Sequence, residues 1–366
     1  MKNVGVYRLP MNGPDDVSQL KKLIDNKTIN PEEIVAIIAQ TEGDGYARGY
    51  ANLNFELLLS EALNTTREAV TDKIPMLMIG LTGGLMSPHY TVFTRSEKQG
   101  QETEEKRLAI GIAKTRVLKP EEYGTKTHVL LVAEAVKQAM KDAQIEDISD
   151  VHLVEVKCPN LTAARVADAE SRGQKVVSKN FAEAGAKSKG ASALGVAVAL
   201  GEVREDQITD QVICNDWSLN SKVASTSAGN EQVASKVVLF GNSTKANSKY
   251  TIASGVMKDT IDVQSAVKTF ESLGLTFENG ALIEKDQKRI AAAFINAGAD
   301  ATGSIRGRRT TLKSDFLAGY QGIIAKAVIN SIVGAMIQDT MILASAGFEH
   351  QGPLGANLLA VIAETE

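Results

Sequence analysis

The chain has 366 residues, of which 43% are hydrophobic and 23% charged, so it can bury a sizeable core and is not of disordered composition. A net charge of −4 and an aromatic content of 5% give no electrostatic or base-stacking reason to expect nucleic acid as a partner. Two cysteines, Cys158 and Cys214, and four scattered histidines offer neither a disulfide framework nor the spacing of a zinc site.

The N-terminal stretch MKNVGVYRLPMNGPDD lacks the apolar segment of a signal peptide, and no run of about 18 apolar residues stands out as a membrane span. The expectation is a cytoplasmic protein with no membrane partner. In chain order, the first apolar run is Ile34–Ile38, in EEIVAIIAQTEG, followed by a helix from Arg48 and a second strand in Met76–Gly84. The polar stretch Ser96–Arg107 reads as a linker. A second passage repeats the order: Val151–Val156 in VHLVEVKCPN, a small-residue helix from Lys189, and a strand-turn in Lys222–Glu231. After a second polar stretch, Gly241–Thr251, a third passage follows. It comprises Ile290–Ile295, which propensity alone reads equally as helix, a helix from Gln321, and a strand-turn in Met341–His350. The predicted fold class is α/β, with three similar α/β units (1–105, 106–250 and 251–366) around a pseudo-threefold axis. Independent strand–helix–strand units without repetition give much the same pattern.

Superposing the passages aligns three kinds of position. Gln40, Lys157 and Asn296 follow the first strand; Arg48, Lys189 and Gln321 open the helix; Ser227 and Ser345 follow the second strand, with Thr82 or Ile79 in the first unit. Only the middle unit carries Lys157, Lys189 and Ser227 together. A serine needs a base to become a nucleophile, and a lysine serves only when burial or a neighbouring cation lowers its pKa. The context VHLVEV before Lys157 would desolvate it, and Ala228 and Gly229 could offer backbone N–H groups to an oxyanion. Gly83 and Ala346 fall in the matching turns. The structural alternative is plain: a lysine after a strand is commonly solvated, and a serine in Ser-Ala-Gly commonly forms a turn. Ser18-Gln-Leu-Lys21 has SxxK spacing without companion motifs, and the Gly-rich GDGYARG and basic Arg306–Arg309 carry no specific signal.

The stretches VYRLPMNGPDDVSQL, PEEIVAIIAQTEGDG, SPHYTVF, EVKCPNLT, SKGASALGVAVALGE, SIRGRRTTL and ASAGFEHQGPLGANLLAVI resemble the cyanuric acid hydrolase and barbiturase family over nearly the whole chain. The resemblance implies three equivalent domains about a central site. It also implies a cyclic amide or imide substrate, a Ser227–Lys157 pair acting through an acyl-enzyme, and a homotetramer. No cofactor is implied for catalysis. A structural Mg or Ca near the C-terminal turn, held partly through backbone carbonyls, is implied at Glu349, Gln351 and Gly352. The chain departs from the family pattern at Gln40 and Asn296, where lysines are expected, at Lys189 and Gln321, where arginines are expected, and at Gly298, where an acid is expected. Gln40 and Asn296 can donate or accept, unlike lysine, and suit a ring edge less uniform than that of cyanuric acid. The alternative is a degenerate member that binds a small heterocycle without turnover.

Overall fold

The computed structural model describes residues 1–43, 45–80, 83–97, 104–314 and 316–366. Its main strands form three four-stranded sheets. The first holds β1 (Lys2–Pro10), β2 (Ile34–Gln40), β3 (Met76–Ile79) and β4 (His89–Glu97); the second holds β5 (Arg107–Lys114), β6 (Val151–Pro159), β7 (Ala224–Gly229) and β8 (Lys236–Ser243). In the third unit, β9 (Tyr250–Met257) precedes a hairpin of β10 (Phe277–Glu278) and β11 (Ala281–Leu282). Then come β12 (Ile290–Ala297), a hairpin of β13 (Ser304–Ile305) and β14 (Arg308–Arg309), β15 (Leu343–Ala346) and β16 (Asn357–Glu364). The sheet orders β1-β4-β2-β3, β5-β8-β6-β7 and β9-β16-β12-β15 are one topology used three times. In each, two antiparallel pairings are followed by one parallel pairing, at the end of the sheet.

The helices repeat as well. α1 (Ser18–Asp25), α4 (Lys126–Ala143) and α7 (Val263–Glu271) follow the first strands; α2 (Gly45–Ala62) with α3 (Arg67–Lys73), α5 (Ala163–Ser171) with α6 (Phe181–Ala199), and α9 (Gln321–Ile337) provide the parallel crossovers. α8 (Glu284–Gln287) is a single turn before β12. The segment Ile290–Ala297, ambiguous by propensity, is a strand, because pairing with β15 and β16 buries both of its faces. α6 begins eight residues before Lys189. Asn180 accepts from the N–H groups of Ala182 (3.0 Å) and Glu183 (3.2 Å), a side-chain cap that sets the helix start there. Lys189 therefore lies in mid-helix rather than opening it.

Because side chains alternate along a strand, each central strand has an inner and an outer face. The outer faces pack on the unit's own helices, as with Ile37 and Met78 against Phe55 and Leu59, or Val154 and Val156 against Val136 and Val196. The inner faces of all three sheets meet in one shared core, with Ile38, Leu77, Phe93, Leu153, Phe240, Phe294 and Leu343 among its members. Phe93 and Phe240 stand edge-on at 4.9 Å, and Phe240 lies 5.6 Å from Phe294. Gln40, Lys157 and Asn296 continue the inner rows at the end of this core.

The stretch Ala318–Ile337 is, among the described residues, the one helix long and apolar enough to cross a membrane by length and composition, a test that the core helix of a soluble fold also passes. Here it includes α9, which packs Ala325, Ile329 and Val333 into the third unit's core and carries the buried polar residues Lys326 and Asn330.

Two buried histidines make the fold acid-sensitive. Burial holds His89 down at about 4 and His128 at about 3, against 6.5 for a free imidazole. The Gly124 N–H donates to His128 Nδ1 (3.2 Å), leaving Nε2 as donor to Ser235 (2.9 Å). Below pH 6.5 the unfolded chain takes up protons that the folded chain refuses, so stability falls as pH falls. Each histidine is expected to cost about 1.4 kcal/mol per pH unit in that window. Urea unfolding at a series of pH values checks this, and His128→Gln should flatten the slope.

Candidate active site

The parallel pairing at the end of each sheet fixes which residues face one another near the axis. Its register sets Gln40 beside Ile79, Lys157 beside Ser227, and Asn296 beside Ser345. Ile79, not a hydroxyl, thus occupies the first unit's serine position; Thr82 lies outside the described residues. Lys157 is 1% exposed. Burial lowers its pKa, Glu231, whose carboxylate is 3.8 Å away, opposes that shift, and Arg48 reinforces it.

The third strand of each sheet is an edge, and the three edges turn toward the axis, where side chains of neighbouring units satisfy their backbone groups. Gln40 Oε1 accepts from the Ala344 N–H of β15 (2.7 Å). Lys157 Nζ donates to the Met78 carbonyl of β3 (3.3 Å). Asn296 donates to the Gly347 carbonyl of its own unit (2.8 Å). Gln351 Oε1 accepts from the Thr226 N–H of β7 (2.6 Å). Since N–H groups alternate along a strand, Ala228 presents its N–H on the same open edge as Thr226.

A cavity of about 640 Å³ opens at this point. It is lined by Arg48, Lys157, Lys189, Ser227, Ala228, Gln321, Ser345 and Ala346 among the residues expected from the sequence. Gln40 and Asn296 do not line it; they are buried beneath it as backbone partners. Gly229 pairs with Pro159 away from the cavity, and Gly83 packs against Ile323 of α9, where a Cβ would come within 2.8 Å. The cavity lining includes none of these four, which are engaged in pairing and packing.

Lys189 does not act as a free cation. Its Nζ lies 2.6 Å from Glu349, and although burial works against the charge, Glu349 raises its pKa above the ordinary value. A metal near the C-terminal turn would have to draw on backbone carbonyls, because the side chains there are engaged. The Glu349 carboxylate is committed to Lys189 and Gln351 Oε1 to Thr226, while Gly352 has no side chain to offer. Among the described residues no group of three or more His, Cys, Asp or Glu could hold a metal. These residues do not fit an ion through their side chains.

Two cavity residues escaped the sequence reading. Asp300 is held up at about 6 by burial and by Glu349, with its buried Oδ1 unpartnered among the described residues. Lys326 is 4% exposed and donates to the Gly80 carbonyl (2.9 Å). The available signal was a lone cation inside the apolar run QGIIAKAVINSIVG.

A family model described as an amidohydrolase ring-opening protein matches residues 5–364, and the chain belongs to that family of ring-opening amidohydrolases. It is 42% identical to a cyclic amide hydrolase of Azorhizobium caulinodans over 363 residues, covering 98% of this chain and 99% of the relative. It is 41% identical to a cyanuric acid amidohydrolase of Enterobacter cloacae over 367 residues, covering 98% and 99%. Among solved structures, a cyanuric acid hydrolase described as an evolutionary innovation by structural concatenation matches with a TM-score of 0.93 at 40% identity, covering all of both chains. The cyanuric acid hydrolase of A. caulinodans matches with a TM-score of 0.89 at 38% identity, covering 100% of this chain and 99% of the other.

Removing the Gln351 acceptor strands the Thr226 N–H beside Ser227. Gln351→Leu is expected to cost about 1–3 kcal/mol, the penalty for an unpaired buried donor. Denaturant unfolding measures it; an unchanged midpoint contradicts the capping role.

Proposed function

We propose that the chain opens a cyclic amide or imide ring with Ser227 as nucleophile and Lys157 as base. The observation that carries this reading is the register that sets Lys157 beside Ser227 on adjacent strands, the one unit of three in which both residue types stand at these positions. Burial favours the neutral amine a base requires. In the ligand-free geometry Nζ donates to Met78 and has no hydrogen bond to Ser227 among the described residues. Catalytic hydrogen bonds commonly tighten only when substrate binds.

In this mechanism neutral Lys157 takes the Ser227 proton as Oγ attacks a ring carbonyl. The Ala228 N–H, on the open edge of β7, donates to the oxyanion. Collapse breaks the ring C–N bond, and the Lys157 ammonium returns the proton to the departing ring nitrogen. Water then attacks the Ser227 ester, giving up a proton to Lys157, which restores the Ser227 hydroxyl. The relatives' names point to cyanuric acid or another cyclic amide as the ring, and a barbiturate-like imide is of the same kind. The three stations are unlike one another: Gln40 with Ile79, Lys157 with Ser227, and Asn296 with Ser345. They therefore favour a ring of lower symmetry than cyanuric acid. A homotetramer and a cytoplasmic location, expected from resemblance and composition, belong to the same proposal.

A second reading, binding without turnover, draws on the Lys189–Glu349 pair and on Ile79, which withdraw polar groups from the ring. Loss of ring absorbance with cyanuric acid, barbiturate and a panel of cyclic imides decides between them. Ser227→Ala and Lys157→Met should each lower turnover by at least about 10³-fold, while Ser345→Ala falls far less. Rings bound but never opened by the wild-type protein support the second reading.

The pH dependence has a definite sign. Protonated Lys157 cannot accept the serine proton, so the rate should rise with pH, with a midpoint below 10.5. A rate that stays flat down to about pH 5 counts against Lys157 as the base.

A further inference from the structure

The polar wall of the cavity is divided by charge. On one side Lys189 is neutralised by Glu349, with Asp300 nearby. On the other stand Arg48 of α2 and Lys326 of α9, and among the described residues neither has a carboxylate within ion-pair distance. Gly80 brings these two cations together. Its carbonyl accepts from Lys326 Nζ at 2.9 Å, and a Cβ on it would lie 2.8 Å from Cγ and Cδ of Arg48, so only glycine lets the arginine stem lie there.

A buried ammonium without a counter-charge is costly, and capping the Gly80 carbonyl needs only a donor, not a charge. Of its three N–H donors, Lys326 spends one on Gly80, leaving two to give. Burial, then Arg48 and Lys189, lower its pKa to about 8, which still leaves it mainly cationic at neutral pH. It also stands where the first unit is otherwise poor in donors to the cavity, since Ile79 replaces a hydroxyl and Gln40 does not line the cavity. Two cations with no ion-pair partner among the described residues, around one wall of a cavity, call for an anionic oxygen between them.

We propose that Lys326 and Arg48 form a cationic clamp for a negatively charged oxygen of the ring, so that the preferred ligand is a cyclic imide in its ring-deprotonated form. This rests on the reading of the cavity as the ring site. It assigns Lys326 to substrate selection rather than to proton transfer.

The test separates binding from turnover. Calorimetric titration of the full-length Ser227→Ala protein uses barbiturate, a ring anion at neutral pH, and dihydrouracil, a neutral ring of similar size. Lys326→Met in that background should weaken barbiturate by about ten- to a hundred-fold, the loss of one charge-assisted hydrogen bond, with dihydrouracil changed by less than about two-fold. Lys326→Gln, which keeps a neutral donor for Gly80 and guards against misfolding, should lose barbiturate as Met does; Lys326→Arg should restore it. Full barbiturate affinity in Lys326→Gln, or equal weakening of both rings, overturns the clamp and leaves the hydrolase reading intact. Lys326-dependent barbiturate binding by a protein whose wild-type form opens no ring supports the clamp and overturns the hydrolase reading. Failure of both rings to bind the Ser227→Ala parent overturns the clamp together with the ring site.

Discussion

Three sheet edges converge on one axis, and the peptide groups on those edges cannot be left unpaired where water is excluded. Much of the centre follows from that constraint. Gln40 covers the edge of β15, Gln351 that of β7, and Lys157 and Lys326 the end of the first sheet at Met78 and Gly80. Each partner comes from a different unit than the edge it serves. The units are therefore tied at the axis by hydrogen bonds as well as by the shared apolar core below it.

The same constraint distributes chemistry unevenly. An amide that caps an edge is held in one orientation and offers little to a ligand, whereas an amine capping a carbonyl keeps further donors and can lose a proton. Gln40 and Asn296 have become structural members. Lys157 caps an edge and still borders the cavity beside a serine, so the middle unit alone unites a tunable amine with a hydroxyl. Lys189, at a position that suggests a ligand contact, is instead tied to Glu349. A threefold architecture thus holds a site without threefold chemistry.

Much of the architecture was legible from apolar periodicity and small-residue spacing. The three strand–helix–strand passages stand out because both faces of each central strand are buried, which leaves long apolar runs such as IVAIIA and VHLVEV. Family membership was legible because many separated stretches agree together. The start of α6 was misplaced because its signal is a polar cap at Asn180, not hydrophobic spacing. Gln40 was recognised as central but not as an edge cap, since which backbone group a side chain meets across units is not encoded in local pattern.

By itself the sequence determined the α/β class, the family, and the uniqueness of the middle unit in carrying lysine and serine together, because these follow from residue type and spacing along one strand or helix. The tertiary structure decided what lies between units: the register that sets Lys157 beside Ser227, the pairing of Lys189 with Glu349, and the reach of Lys326 across 246 residues to Gly80. Such contacts depend on how three sheets pack at one axis. Burial and neighbouring charge, which set whether an amine is a base, a counter-ion or a clamp, exist only once that packing is made.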